Sequence, residues 1–232
     1  MDTLNIAIIT AAGGGTRLSG TTKKQFRELG GIPILIRTLG RFFASALIDS
    51  IIVTAPEADV GYCEDLIRRF FEDSTKPWLV IAGGMERQDS IFGALQRCPA
   101  DTGYVFIHDG VRPFVNEDLL TALYEIALKE SAAIPVARLK NTIKTIEQEY
   151  VGQTLVRDNL VQVFTPQVFS CSLIKAAYAK AYQDGFVSTD DASLVEYYGA
   201  RVAYHFSTDL NLKITDELDL FFAGQIIENN LI

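Results

Sequence analysis

Residues 4 to 28 of the chain, Leu-Asn-Ile-Ala-Ile-Ile-Thr-Ala-Ala-Gly-Gly-Gly-Thr-Arg-Leu-Ser-Gly-Thr-Thr-Lys-Lys-Gln-Phe-Arg-Glu, join an apolar strand to a glycine loop followed by spaced cations. The strand delivers the backbone to Gly13, Gly14 and Gly15, where missing Cβ atoms let N–H groups approach an anion, and Arg17 and Lys24 add positive charge. Such a segment belongs to an α/β fold with a phosphate site at a strand end, and a nucleoside triphosphate is the ligand class it suggests. Two better-known glycine loops are excluded. The dinucleotide fingerprint needs a third glycine where Leu18 stands and an acid closing the second strand, which instead runs Ile51-Ile52-Val53-Thr54-Ala55. The P-loop needs Gly-Lys-Ser/Thr, which is absent. A plain strand-to-helix turn with surface cations competes with the phosphate reading at this point.

The rest of the chain shows βα alternation. Short apolar runs recur at Ile6 to Thr10, Ile51 to Thr54, Trp78 to Ile81, Tyr104 to Ile107 and Ala132 to Ala137. Between them, Ile34 to Phe43 (opened by Pro33), Asp59 to Phe71 and Glu86 to Arg97 carry apolar residues at helical spacing. Near-continuous apolar strands predict a mostly parallel sheet covered on both faces by helices, with ligands at the strands' carboxyl ends. Leu139 to Val163 breaks the rhythm. Its Thr and Ile alternate with Lys and Glu, turn near Gly152 and return through Thr154-Leu155-Val156, which predicts a projecting β-hairpin arm at about 139–163. A two-stranded arm is marginal alone, so a partner subunit is its expected support.

At 232 residues the expectation is a single domain, 1–232, self-supporting without disulfides or structural metal. No apolar stretch approaches the roughly 20 residues needed to cross a bilayer. Asp2 and the short run into glycine do not read as a signal peptide, so a cytoplasmic protein is expected. Cys63, Cys98 and Cys171 form no Cys-x-x-Cys pair and read as small core or helix residues. Net charge is −8 with no dense basic cluster, which argues against nucleic acid as a partner. Anionic ligands must then be held by local, converging cations.

Several constellations supply them. His108-Asp109-Gly110-Val111-Arg112-Pro113-Phe114 follows a strand and sets an acid and a guanidinium at its carboxyl end. Asp109 can bind hydroxyls or metal, and Arg112 offers a planar fork for phosphate or carboxylate oxygens; an Asp cap on the next helix paired with Arg112 is the structural alternative. His108 reads as a supporting residue, one of two histidines in the chain. Gly83-Gly84-Met85-Glu86-Arg87-Gln88-Asp89-Ser90 leaves a strand for a helix, with N–H donors, the Ser90 hydroxyl and an Arg87 able to pair with an acid. Simple turn chemistry explains these glycines equally well. Ser188-Thr189-Asp190-Asp191-Ala192-Ser193 reads as a helix start capped by Thr189 or Asp190. Lys213 sits among apolar neighbours just before a C-terminal helix, Asp216 to Ile227, as an anion ligand or a solvated side chain.

Taken in order, Ala-Ala-Gly-Gly-Gly-Thr-Arg, Lys-Gln, Gly-Gly-x-Glu-Arg, His-Asp-Gly-Val-Arg-Pro-Phe, Thr-Pro-Gln-x-Phe, Thr-Asp-Asp-Ala-Ser-Leu-Val-Glu and Asn-Leu-Lys-Ile-Thr resemble the 2-C-methyl-D-erythritol 4-phosphate cytidylyltransferases (IspD family) over nearly the whole chain. The resemblance implies a Rossmann-like nucleotidyltransferase domain that dimerises through its β-arm. It implies that Ala11, Ala12, Gly13, Gly15, Gly83, Ser90 and Gly110 line a CTP site and that Arg17 and Lys24 stabilise the transition state. Asp109, Arg112, Thr165, Thr189 and Lys213 would hold methylerythritol phosphate, with Arg157 supplied from the neighbouring subunit's arm and Mg²⁺ held mainly by the triphosphate. Three positions depart from the family pattern. Met85 stands where many relatives carry Asp, Lys23 replaces a proline, and Asp191 replaces a frequent Glu; register with Gln25 gives the loop-lysine role to Lys24 rather than Lys23. Ribitol 5-phosphate cytidylyltransferases carry overlapping motifs, but the full Thr-Asp-Asp-Ala-Ser-Leu-Val-Glu block favours methylerythritol phosphate. A noncatalytic nucleotide-binding protein is encouraged only by Met85 and opposed by Arg17, Lys24, Asp109, Arg157 and Lys213.

Overall fold

The computed structural model describes residues 3–13, 22–208 and 210–231. The first half of the chain runs β1 (Leu4–Thr10), β2 (Glu28–Leu29), β3 (Ile32–Pro33), α1 (Ile34–Ala44), β4 (Ser50–Ala55), α2 (Val60–Phe70), β5 (Trp78–Ala82), α3 (Arg87–Leu95), β6 (Thr102–Asp109) and α4 (Glu117–Glu130). The second runs β7 (Ala132–Arg138), β8 (Lys144–Glu147), β9 (Tyr150–Thr154), β10 (Val161–Val163), β11 (Gln167–Ser170), α5 (Cys171–Asp184), α6 (Asp191–Tyr198), β12 (Ala203–Phe206) and α7 (Glu217–Glu228).

The main sheet is ordered β10-β7-β11-β6-β1-β4-β5, with β12 on the other side of β7. Strands β5, β4, β1, β6, β7 and β12 run one way, while β10 and β11 oppose them. The mostly parallel α/β sheet expected from the apolar runs is therefore present. Its strands are apolar on both sides because both sides are covered. On one face Ala7, Ile9, Ile51, Val53 and Phe106 meet Leu35, Leu39 and Phe42 of α1, Leu66 and Ile67 of α2, and Leu119 and Leu123 of α4. On the other, Ile6, Ile8, Ile52, Val105 and Ile107 meet Ile91 and Leu95 of α3, Ile174 and Tyr178 of α5, and Leu194 and Val195 of α6. The period-2 alternation along each strand assigns successive residues to opposite cores.

Strand order reverses between β1 and β6: the chain winds outward from β1 through β4 and β5, then returns to lay β6 on β1's other edge. Registry is exact enough to bring Thr10 level with Thr54 and with Asp109, so the carboxyl ends of β4, β1 and β6 share one rim. A crevice at such a reversal is where open α/β sheets take ligands.

The arm is shorter than its sequence suggests. The hairpin consists of β8 and β9 alone, whereas Val161–Val163 pairs with β7 and joins the main sheet. Its turn falls at Gln148 and Glu149, with Gln148 at φ 55°, and not near Gly152. Gly152 lies inside β9, where a Cβ would come 2.4 Å from Glu147 Oε1 and 2.5 Å from Thr145 Oγ1. The glycine permits the irregular register between β8 and β9 rather than the reversal. The three cysteines are buried, as expected, and burial pushes the Cys63 thiol up to about 12, with Glu64 and Asp59 adding to the shift.

Candidate active site

The glycine loop begins where β1 ends, and close packing fixes its walls. Gly110 N–H donates to Thr10 O (2.9 Å) and Gly83 N–H to Ala55 O (2.8 Å), tying the exits of β6 and β5 to their neighbours. Both glycines are needed for approach: a Cβ at Gly83 would lie 2.3 Å from Ala12 Cβ, and one at Gly110 would lie 3.0 Å from Thr10 O. Across the rim, buried Gln25 donates from Nε2 to Ala11 O (2.8 Å), which anchors the 3-10 turn Lys24–Phe26 against the loop. That anchoring turns Lys24 into the cleft lined by Ala11, Ala12, Gly13, Ser90, Asp109 and Lys213. Lys23 instead pairs with Asp59 and does not line that cleft.

Asp109 is the electrostatic centre. Its Oδ2 accepts from Arg112 Nε (3.0 Å) and lies 3.0 Å from Lys213 Nζ, while Oδ1 is 3.7 Å from Arg87 Nε. Burial by itself would raise this carboxyl, but Lys213, then Arg87 and Arg112, hold it well below the usual carboxylate range. Arg87 in turn donates from Nη2 to Asp191 Oδ2 (2.8 Å), and the Tyr178 hydroxyl donates to Asp191 Oδ1 (2.6 Å). Arg112, Lys213 and Arg87 thus converge on the two carboxylates of Asp109 and Asp191. Arg112 is also fixed by donating from Nη1 to Asn211 O (2.9 Å), and its guanidinium lies over the Phe164 ring.

His108 supports this platform from beneath. It is fully buried, with Nε2 2.9 Å from Arg112 O and Nδ1 3.0 Å from Thr165 Oγ1. A carbonyl only accepts, so Nε2 carries the proton and Nδ1 accepts from the Thr165 hydroxyl, whose oxygen accepts from Asp109 N–H. Burial pushes the imidazole down to about 4, and it is neutral at physiological pH.

A second cleft adjoins the first through Asp109 and Lys213 and is lined by Arg112, Thr165, Thr189 and Gln167. Of the residues singled out from sequence, the structure thus gathers Ala11, Ala12, Gly13, Lys24, Ser90, Asp109, Lys213, Arg112, Thr165 and Thr189 around two joined clefts, with Gly83 and Gly110 as packing points in the walls. Gly15 and Arg17 lie outside the described residues. Arg157 sits in a 3-10 turn at the arm's base, where its guanidinium donates to Lys140 O (2.9 Å), and it lines neither cleft of its own chain. Helix α4 is capped by Asn116 and α6 by Asp190, so Asp109 is free of any capping task. Sequence reasoning missed Gln167, whose Oε1 accepts from Asp191 and Ala192 N–H and whose Nε2 donates to Asp190 Oδ2, fixing the start of α6. Its signals were a polar residue heading the strand Gln167–Ser170 and its place in the Thr-Pro-Gln-x-Phe block, to which no role was given.

The doubly covered, mostly parallel sheet and the glycine-lined crevice at its order reversal define a Rossmann-like nucleotidyltransferase fold. A sequence profile of 2-C-methyl-D-erythritol 4-phosphate cytidylyltransferase (IspD) matches residues 5–229. The chain is 41% identical over 220 residues to the enzyme of that name from Halalkalibacterium halodurans, with 95% of each chain covered. It is 39% identical over 225 residues to that of Geotalea uraniireducens, with 96% of each covered. Among solved structures it is similar to the 4-diphosphocytidyl-2C-methyl-D-erythritol synthase of Anaerococcus prevotii, at TM-score 0.84 and 32% identity over 97% of this chain and 99% of that one. The IspD structure from Francisella tularensis superposes at TM-score 0.82 and 29% identity, covering 96% and 99% of the two chains. The chain belongs to the 2-C-methyl-D-erythritol 4-phosphate cytidylyltransferase family.

Proposed function

We propose that this protein condenses CTP with 2-C-methyl-D-erythritol 4-phosphate, giving CDP-methylerythritol and pyrophosphate. The observation that carries the reading is the meeting of Lys213, Arg87 and Arg112 around one buried carboxylate, in a cleft at the glycine-loop rim that Lys24 also lines. CTP occupies the first cleft, against Ala11, Ala12, Gly13, Gly83, Ser90 and Gly110, with Gly15, outside the described residues, keeping the role the family resemblance implies. The polyol phosphate occupies the second, where Asp109 accepts from its hydroxyls and Arg112, Thr165, Thr189 and Lys213 hold it. A phosphate monoester with a second pKa of about 6 is largely dianionic at neutral pH, so its oxygen attacks the α-phosphorus without a general base. The bond from that phosphorus to the pyrophosphate oxygen breaks as the new one forms. What the protein supplies is alignment of two mutually repelling anions and neutralisation of charge growing on the α-phosphate, from Lys24 and Arg17.

Among the described residues no group of three or more His, Cys, Asp or Glu side chains could hold a metal, and the oxygens of Asp109 already face cations. Mg²⁺ accordingly enters this reading as the companion of the triphosphate, and none of the steps above passes through it.

The same reading makes the protein a cytoplasmic homodimer of single-domain chains. Its support is the exposed apolar surface on and beside the arm, where Ile146, Tyr150, Val151 and Val156 are left in solvent by the single chain. The partner's arm then brings its Arg157 to the polyol phosphate. Pyrophosphate release from CTP, compared between methylerythritol phosphate and ribitol 5-phosphate, tests the proposal. Turnover with the first and little with the second is expected; preference for ribitol 5-phosphate, or no turnover with either, overturns it.

A further inference from the structure

Away from the rim, on the side of α1 that faces the end of α2 and the 113–114 turn, lies a separate cavity of about 380 Å³, within the size range of small-ligand sites, roughly 300 to 1,000 Å³. Its walls are apolar: Ile36, Phe70, Phe71, Phe114 and Ile227. Two arginines one helical turn apart, Arg37 and Arg41, also line it.

Their bonding is unusual in a chain with 29 acidic residues against 21 basic ones. Among the described residues Arg37 donates only to carbonyls, from Nε to Leu29 O and from Nη2 to Gly30 O. Arg41 donates from Nε to Pro113 O (3.3 Å), and its two terminal nitrogens make no bond among the described residues. Neither guanidinium pairs with a carboxylate among the described residues. Burial, and then the like charge of Arg41, lower the pKa of Arg37, a direction that a bound anion would reverse. Between the two lies Gly40, in a helix interior where glycine costs about 1 kcal/mol relative to alanine. It has no positive φ to accommodate, and a Cβ there would meet only the Phe71 ring at 3.9 Å, an ordinary contact. Neither backbone geometry nor close approach requires this glycine. Its effect is to leave the cavity open between the two cations.

We propose that this cavity is a second ligand site, distinct from the nucleotide cleft, for a small amphiphilic anion: a short hydrocarbon body against Phe70, Phe71 and Phe114, and a phosphate or carboxylate head on Arg37 and Arg41. Apolar walls alone would accept any small hydrophobe. Two unneutralised guanidinium groups at the mouth add a requirement for negative charge, because their repulsion is relieved and their open donors are filled only by an anion.

Calorimetric titration of the full chain with octyl phosphate, below its micelle concentration and with CTP at saturation to block the nucleotide cleft, tests the proposal. Saturable binding at one site per chain is expected, with octanoate sharing it and octanol at least tenfold weaker. The Arg37→Gln/Arg41→Gln double variant should bind octyl phosphate at least tenfold more weakly. Because Arg41 also holds Pro113 O, a second variant keeps both arginines: Gly40→Leu, which fills the cavity, should abolish binding while CTP affinity stays unchanged. A phosphate preference over octanoate would identify the head group as a phosphoester, and the reverse a carboxylate. Absence of octyl phosphate binding to the wild type, equal binding of octanol, or binding unchanged in Gly40→Leu would each overturn the assignment.

Discussion

Mild acid is expected to destabilise this protein through His108 before the Asp109 carboxylate is protonated. The imidazole is fully buried, with its Nε2 proton on Arg112 O and its Nδ1 lone pair engaged by the Thr165 hydroxyl. A second proton has nowhere to go without turning Thr165 away, and burial pushes the ring from 6.5 down to about 4. The unfolded chain takes up that proton near pH 6.5, so between about pH 6.5 and 4 it binds more protons than the folded chain, and stability falls as pH falls. A gap of that size corresponds to about 3 kcal/mol in full, of which about 2 kcal/mol is lost between pH 7 and 5. Urea denaturation of the wild type and His108→Gln at both pH values isolates this contribution, since other titrating groups largely cancel in the difference. The wild-type advantage should shrink by about 2 kcal/mol on going to pH 5. A difference independent of pH would refute the burial of a neutral imidazole under the site.

Three further outcomes are expected. Phe106→Ala, which removes a fully buried ring tilted against Tyr124 at a centroid distance of 5.9 Å, should cost about 3–5 kcal/mol in chemical denaturation. Gly83→Ala forces a methyl against Ala12 and Ser90; overpacking of about 1–3 kcal/mol should appear as a lower melting temperature and, because Ala12 borders the glycine loop, as weaker CTP binding by fluorescence or calorimetry. If sites are shared across the proposed dimer, Arg157→Ala and Lys213→Ala should each be inactive alone yet regain part of wild-type activity when mixed, because one of the two sites is then intact. No recovery in mixed dimers would place Arg157 outside the neighbour's site.

Much of the architecture was legible because buried parallel strands leave unbroken apolar runs, and the glycine loop marks where the first of them ends. Helices α4 and α5 were less so, whereas the start of α6 and its Asp190 cap could be read: α5 interleaves Lys175 and Lys180 with small alanines, and its buried stripe of Ile174, Ala177, Tyr178 and Ala181 shows only once the sheet it covers is known. Strand β12 is short and half exposed, and only its parallel pairing with β7 identifies it. Glycine misled at the arm, since Gly152 serves strand register while Gln148 adopts the positive φ. At the site, the identity of the cations and the local pairing of Asp109 with Arg112 could be read, but not the partners far away in sequence. Arg87 and Asp191 are 104 positions apart, and no local pattern tells that the acid is entirely buried beneath the guanidinium or that Tyr178 completes its bonding.

The central claim is that Lys24 and Lys213, turned into one crevice by Gln25 and Asp109, neutralise two phosphate groups brought into contact. Single-turnover pyrophosphate release from CTP and methylerythritol phosphate by Lys24→Ala and Lys213→Ala, alongside circular dichroism of both variants, measures it. The account predicts native spectra with release slowed at least about 100-fold, the scale of losing one preorganised charge donor. Native spectra with release near the wild-type rate would contradict it.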